Sequence, residues 1–216
     1  MIAITGGKGG SGKSTTTLGL ARALAIGGDD PLVVDADTDL PDLHLLAGVD
    51  RKPSWDSLGE SPLECVTQRA PALGGIAVLP AGDDRALPAM LARVTAWQGP
   101  VLVDCPAGAG PDATRPLRRA DRSVLATGQE PESLTDVAKT ARVARRLDAP
   151  PLAALVRTAD SVGRLPFDCP HVESVPSVDI QRTPERALDA ILSHPGVRCA
   201  HRRVADAVRR SAGGEW

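Results

Sequence analysis

Ten residues close to the start of the chain constrain it more than all the rest: Gly6-Gly7-Lys8-Gly9-Gly10-Ser11-Gly12-Lys13-Ser14-Thr15. They follow a short apolar run, Ile2 to Thr5. They precede Leu18, Ala21, Leu24 and Ala25, whose spacing suits one face of a helix from Ser14 to Ile26. From Gly7 the segment satisfies G-x-x-x-x-G-K-[ST], set between a strand and a helix as that pattern requires. Glycines let the backbone curl tightly and aim successive N–H groups into a concavity that holds anionic oxygens. The following helix adds the positive end of its dipole. Lys13 is then placed to reach the β- and γ-phosphates of a nucleotide, and the Ser14 hydroxyl to ligate Mg²⁺. The expected ligands are a nucleoside triphosphate and Mg²⁺, bound through Gly7, Lys8, Gly9, Gly10, Ser11, Gly12, Lys13, Ser14 and Thr15.

The rest of the sequence predicts the frame around this loop. Apolar runs at Leu32 to Val34, Gly75 to Leu79, Val101 to Val103, Ser123 to Ala126, Leu152 to Val156 and Val172 to Val175 read as strands. Helical patterns separate them at Ala86 to Trp97 and Leu134 to Leu147, with two more near Pro184 to Leu192 and Cys199 to Arg210. A short strand is expected near Cys65, within the irregular, proline-bearing stretch from Asp50 to Pro71. Strands alternating with helices predict a doubly wound, mostly parallel β-sheet flanked by helices. With 216 residues and no convincing linker, a single domain spanning 1–216 is expected.

Charge and composition narrow the class. A formal charge of −2 argues against a chain that is basic throughout and coats nucleic acid, while leaving room for a local basic patch. Aromatic residues make up 2% and tyrosine is absent, which argues against a stacking platform for single strands. Cys65, Cys105, Cys169 and Cys199 are widely spaced and form no C-x-x-C pair, so buried thiols are expected; a metal shared between subunits is the other reading. The start MIAIT lacks the basic and apolar regions of a signal peptide, and no run reaches the ~18 apolar residues of a membrane span. The expected location is cytoplasmic, with peripheral contact at a membrane or the nucleoid left open.

Lys8, within K-G-G-S-G-K-S-T, resembles the signature lysine of the deviant Walker A ATPases of the MinD/ParA family. The resemblance implies a P-loop fold and an ATP-sandwiched homodimer in which Lys8 crosses to the partner's nucleotide. There a cation stabilises charge on the transferred phosphoryl group. Val34-Asp35-Ala36-Asp37 is similar to the family's switch I, implying that Asp37 orients or deprotonates the attacking water beside the metal. Asp35 would support the loop or the metal-bound waters, and Asp39 and Asp42 are read as solvated or as helix caps. Leu102-Val103-Asp104-Cys105-Pro106-Ala107-Gly108 is similar to Walker B running into switch II, closer to the MinD branch. Asp104 would hold a water on Mg²⁺, and the Gly108 amide would approach the γ-phosphate. The implied catalytic set is therefore Lys8, Lys13 and Asp37, and the metal set Ser14, Asp37 and Asp104.

The likeness extends through Ala120 to Asp136 and thins after Leu147. The family's adenine-reading asparagine has no counterpart in Ala154-Leu155-Val156-Arg157-Thr158, where Arg157 is either a base-stacking or a plain surface arginine. The last helix is rich in arginine, but its apolar face is Val and Ala, so Val204 and Val208 are expected to pack on the domain rather than insert into lipid. Trp216 falls beyond that helix. The same arginines suit anionic headgroups or DNA phosphates. The implied function is an ATPase that dimerises with ATP to position division, motility or DNA-partition machinery, together with an activator or cargo protein. Two alternatives remain: a nucleotide-gated protein-binding module with little hydrolysis, and an ATP-dependent ligase of the dethiobiotin or cobyrinate type.

Overall fold

The computed structural model describes residues 1–59, 61–178 and 184–213, so Trp216 lies outside the described residues. Among the described residues eight strands form one sheet: β1 (Ile2–Thr5), β2 (Leu32–Asp35), β3 (Gln68–Ala70), β4 (Ile76–Leu79), β5 (Val101–Asp104), β6 (Arg122–Gly128), β7 (Pro151–Arg157) and β8 (His171–Val175). Their spatial order is β3-β4-β2-β5-β1-β6-β7-β8. Every pairing is parallel except β3 with β4. Only the few residues between Ala70 and Ile76 join those two strands, too short a span for the crossover that a parallel pair demands. The short strand expected near Cys65 thus lies three residues later, and Cys65 itself closes a single helical turn, Leu63–Cys65.

The helices are α1 (Lys13–Ile26), α2 (Leu43–Ala47), α3 (Leu87–Arg93), α4 (Pro111–Leu117), α5 (Pro131–Arg146), α6 (Pro184–Ser193) and α7 (Pro195–Ser211). The helix expected across Ala86 to Trp97 is α3 with a tighter turn at each end.

The central strands are buried on both faces, and their alternation sorts side chains into two cores. Ile2 and Ile4 of β1 join Leu18, Leu24, Val33, Leu102, Val204 and Val208 on the side of α1 and α7. Ala3 joins Val34, Leu79, Met90, Val101 and Val103 on the opposite side. Val204 and Val208 are fully buried, as the packing reading of the last helix predicts. α1 lies under the sheet's middle, which is why its hydrophobic residues are not confined to one stripe.

All four cysteines are free, but the expectation of buried thiols holds only for Cys105; Cys65 is exposed, and Cys169 and Cys199 are half-buried. Burial raises the thiol pKa of Cys105 well above its ordinary value.

Candidate functional site

Parallel strands point the carboxyl ends of β1, β2 and β5 to the same edge of the sheet, and the strand order turns around β1. Ligands of open α/β sheets gather at such a point. The segment leaving β1 here is the glycine loop. Gly10 and Gly12 have φ of 71° and 90°, and Gly12 is the residue that caps α1. A side chain strains that left-handed conformation, which explains glycine at both.

Two other glycines exist for closeness. A Cβ on Gly6 would stand 2.5 Å from Ser11 Oγ and 2.6 Å from the Ala126 carbonyl oxygen. One on Gly7 would meet the Asp136 backbone of α5 at 2.6 Å. The loop is therefore clamped between β6 and α5.

The two lysines of the loop part company. Lys13 is 8% exposed, and its charge is felt by Asp104. Lys8 is exposed and has no salt bridge among the described residues, although the carboxylate of Glu130 feels its charge. Ser11 Oγ is buried without a hydrogen-bond partner among the described residues.

Three aspartates feel one another's charge at the carboxyl ends of β2 and β5. Asp35 and Asp104 are direct cross-strand partners on β2 and β5, 1% and 2% exposed. Burial first, and then the neighbouring Asp104 carboxylate, push Asp35 up to about 8. Asp104 rises to about 6 through burial, while the Ser14 and Thr17 hydroxyls and the Lys13 ammonium pull it back. Asp35 Oδ1 accepts the Asp37 amide at 3.2 Å, and Asp35 Oδ2 is buried and unpartnered among the described residues. Asp37 is half-buried, and its Oδ1 accepts the Leu40 amide at 3.2 Å. Asp39 and Asp42 are exposed; Asp42 precedes α2 but makes no side-chain cap.

The Gly108 amide donates to the Gly6 carbonyl at 3.0 Å, and Gly108 has φ of 89°. The amide is thus engaged within the protein.

Sequence reasoning missed Thr17. Its hydroxyl donates to Asp104 Oδ1 at 3.0 Å and lies equally close to the Lys13 carbonyl, locking the carboxylate under the loop. The signal was present in Ser14-Thr15-Thr16-Thr17, four hydroxyls in succession at the start of a buried helix. Arg157, at the end of β7, donates to the Gly10 carbonyl at 3.3 Å. It also lines a cavity of about 300 Å³ beside the loop, with Gly12, Thr15, Thr16, Pro176 and Val178. Arg157 is thus placed against the loop, which the sequence alone left undecided.

These donors suit a Mg–nucleotide. Unpartnered Ser11 Oγ and Asp35 Oδ2 offer polar atoms to a polyphosphate and its hydrated ion. Among the described residues no three acidic, His or Cys side chains converge to cage a metal.

A glycine loop clamped at the central strand, a buried lysine and an acidic strand end beside it define a P-loop nucleotide-binding domain. The family model described as the CobQ/CobB/MinD/ParA nucleotide binding domain matches residues 2–190. The chain belongs to that family. It is 33% identical over 167 residues to an uncharacterised ATP-binding protein of Methanocaldococcus jannaschii, covering 72% of this chain and 62% of the relative. It is 28% identical over 148 residues to the septum site-determining protein MinD of Synechocystis, covering 63% and 56%. The aligned stretch thus spans less than two thirds of the length of either relative. Among solved structures, MinD of Pyrococcus horikoshii complexed with Mg-ADP superposes with a TM-score of 0.82 at 25% identity, covering 98% of this chain and 96% of that one.

Proposed function

We propose that this chain is a MinD/ParA-type ATPase that closes into a homodimer around Mg-ATP and reopens on hydrolysis. The observation that carries the reading is the division of labour between the two loop lysines. Lys13 is buried, close enough for Asp104 to feel its charge. Lys8 is exposed at the rim and free of ion pairs among the described residues, as a cation serving a second copy would be.

In this reading residues 1–216 act as one ATPase domain. The loop amides of Gly7 to Thr15 cradle the phosphates, and Ser14 and Asp104 hold Mg²⁺ with its waters, Asp37 standing beside them. Once bound, Mg²⁺ would supply charge neutralisation to the phosphates. Asp37 exchanges its bond to the Leu40 amide for the attacking water. The Gly108 amide leaves Gly6 to meet the γ-phosphate, which couples nucleotide state to the segment leading into α4. The base takes the cavity beside Arg157, whose guanidinium lies on its flank. Relatives named for septum-site placement support an output in spatial positioning, with an activator or cargo protein at a membrane or nucleoid surface.

Light scattering after size exclusion, with ATP and with ADP, tests the switch alongside phosphate release. ATP should double the mass of the wild type but not of Lys8→Ala. Asp37→Ala should dimerise yet lose at least about tenfold in turnover. A monomer in saturating ATP, or turnover indifferent to Asp37, would sink the proposal.

A further inference from the structure

Two turns along α1 from the phosphate loop, a second cavity of about 340 Å³ opens between α1 and α7. Small-molecule sites begin at about this size. Three arginines line it: Arg22 from α1, and Arg198 and Arg202 from α7. The latter two are one helical turn apart and so lie on one side of their helix. On the same helix Arg203 is paired with Glu173, and Arg209 with Asp29 and Asp206. Arg198 and Arg202 are exposed and have no such partner among the described residues.

Arg22 is the sunken member, with its side chain 24% exposed. Its Nη1 is closed to solvent and lacks a hydrogen-bond partner among the described residues. Asp189, its paired carboxylate, stands 3.6 Å off, beyond hydrogen-bond reach. A buried guanidinium N–H without an acceptor is costly, and an oxygen inside the cavity would relieve it. A second orphan lies in the wall. His201 Nδ1–H donates to the Val197 carbonyl at 2.8 Å, while Nε2 is enclosed without a partner among the described residues. His201 also lines the cavity beside the phosphate loop, so one side chain separates the two chambers.

We infer that this cavity binds a small organic phosphate, its phosphate held by Arg22, Arg198 and Arg202 and its short apolar part lying on Ala23, Leu192 and Pro195. Three guanidinium forks match a dianion with three free oxygens better than a carboxylate, whose two oxygens one fork satisfies. The depth of Arg22 selects a ligand that enters the cavity over the phosphates of a polymer or a bilayer. Ile26, 74% exposed at the cavity's edge, extends the apolar surface available to it.

The test is calorimetric titration of the full chain with sn-glycerol 3-phosphate and with inorganic phosphate. Vesicles of phosphatidylglycerol form a separate arm. Wild type is compared with Lys13→Ala and with the double variant Arg198→Ala/Arg202→Ala. Arg198 and Arg202 are exposed, so an unchanged melting temperature checks that the double variant is folded. The ester should bind wild type and Lys13→Ala alike, weaken roughly tenfold or more in the double variant, and slow alkylation of Cys199, which lines the cavity. Four results would overturn the assignment: no uptake of either soluble probe by wild type, loss of uptake in Lys13→Ala, equal affinity in the double variant, or binding of vesicles without the free ester.

Discussion

Asp35 and Asp104 sit opposite each other on adjacent parallel strands, each almost wholly buried, with the Asp35 carboxyl held up to about 8 and that of Asp104 to about 6. Both values exceed that of an unfolded aspartate, near 3.8. The folded chain therefore keeps protons that the unfolded chain has already released above about pH 4. The stability contributed by this pair is fully present below that point and is lost as pH rises toward about 8. Asp35→Asn removes the larger contribution. In buffer free of magnesium and nucleotide, the variant should gain on wild type from about pH 5 to about pH 8, by up to about 1.4 kcal/mol per pH unit. Urea unfolding across that range measures it, and a difference that does not change with pH contradicts it.

Thr17→Val keeps the shape of α1 but strips Asp104 of its 3.0 Å hydroxyl donor. Groups that orient a metal-binding carboxylate typically matter about 10–100-fold for affinity. Mg-ATP binding should weaken by at least about tenfold, and Thr17→Ser should restore it. Titration of each variant with Mg-ATP decides. Equal weakening by Ser and Val would assign the threonine to packing alone.

Gly19 of α1 lies under the imidazole of His201: a Cβ there would stand 2.6 Å from Nε2, and the ring is buried. In an open helix Gly→Ala is worth about 1 kcal/mol in favour of alanine. Here the clash dominates, and Gly19→Ala should destabilise by about 1–3 kcal/mol. Combined with His201→Ala, most of that loss should vanish. A double-mutant cycle by chemical denaturation reads the coupling.

Arg209 ties the last helix to the end of α1. Its Nε donates to Asp29 Oδ2 at 2.8 Å and its Nη2 to the Leu24 carbonyl at 2.9 Å. The guanidinium also fills the space in front of Gly27, where a Cβ would meet Nη2. Arg209→Ala should cost about 1–3 kcal/mol, and Arg209→Lys should recover little because an ammonium cannot reproduce the fork. Thermal unfolding of the two variants provides the comparison.

Most of the sheet was legible because its strands are short apolar runs, fully buried and punctuated by Gly, Pro or Asp. The antiparallel edge strand was misplaced because Gln68-Arg69-Ala70 has no apolar run to mark it; it is a strand because β4 offers it an unpaired edge. The phosphate loop stood out because its pattern sets glycines, a lysine and a serine at fixed spacing within one segment. Asp35 and Asp104 close apolar runs, whereas Asp37 was named through the resemblance to the family's switch I.

From the sequence alone came the local matters: which backbone segment curls, which helix follows it, and which carboxylates close the strands. Only the folded chain decided which groups are driven together or left without a partner. It buried Lys13 and exposed Lys8, set Asp35 across from Asp104, and gave Thr17 its acceptor. It also left Arg22 and His201 with unmatched nitrogens between α1 and α7. Spacing along a chain specifies geometry over one or two turns, whereas desolvation and pairing depend on which distant segments share the same few ångströms.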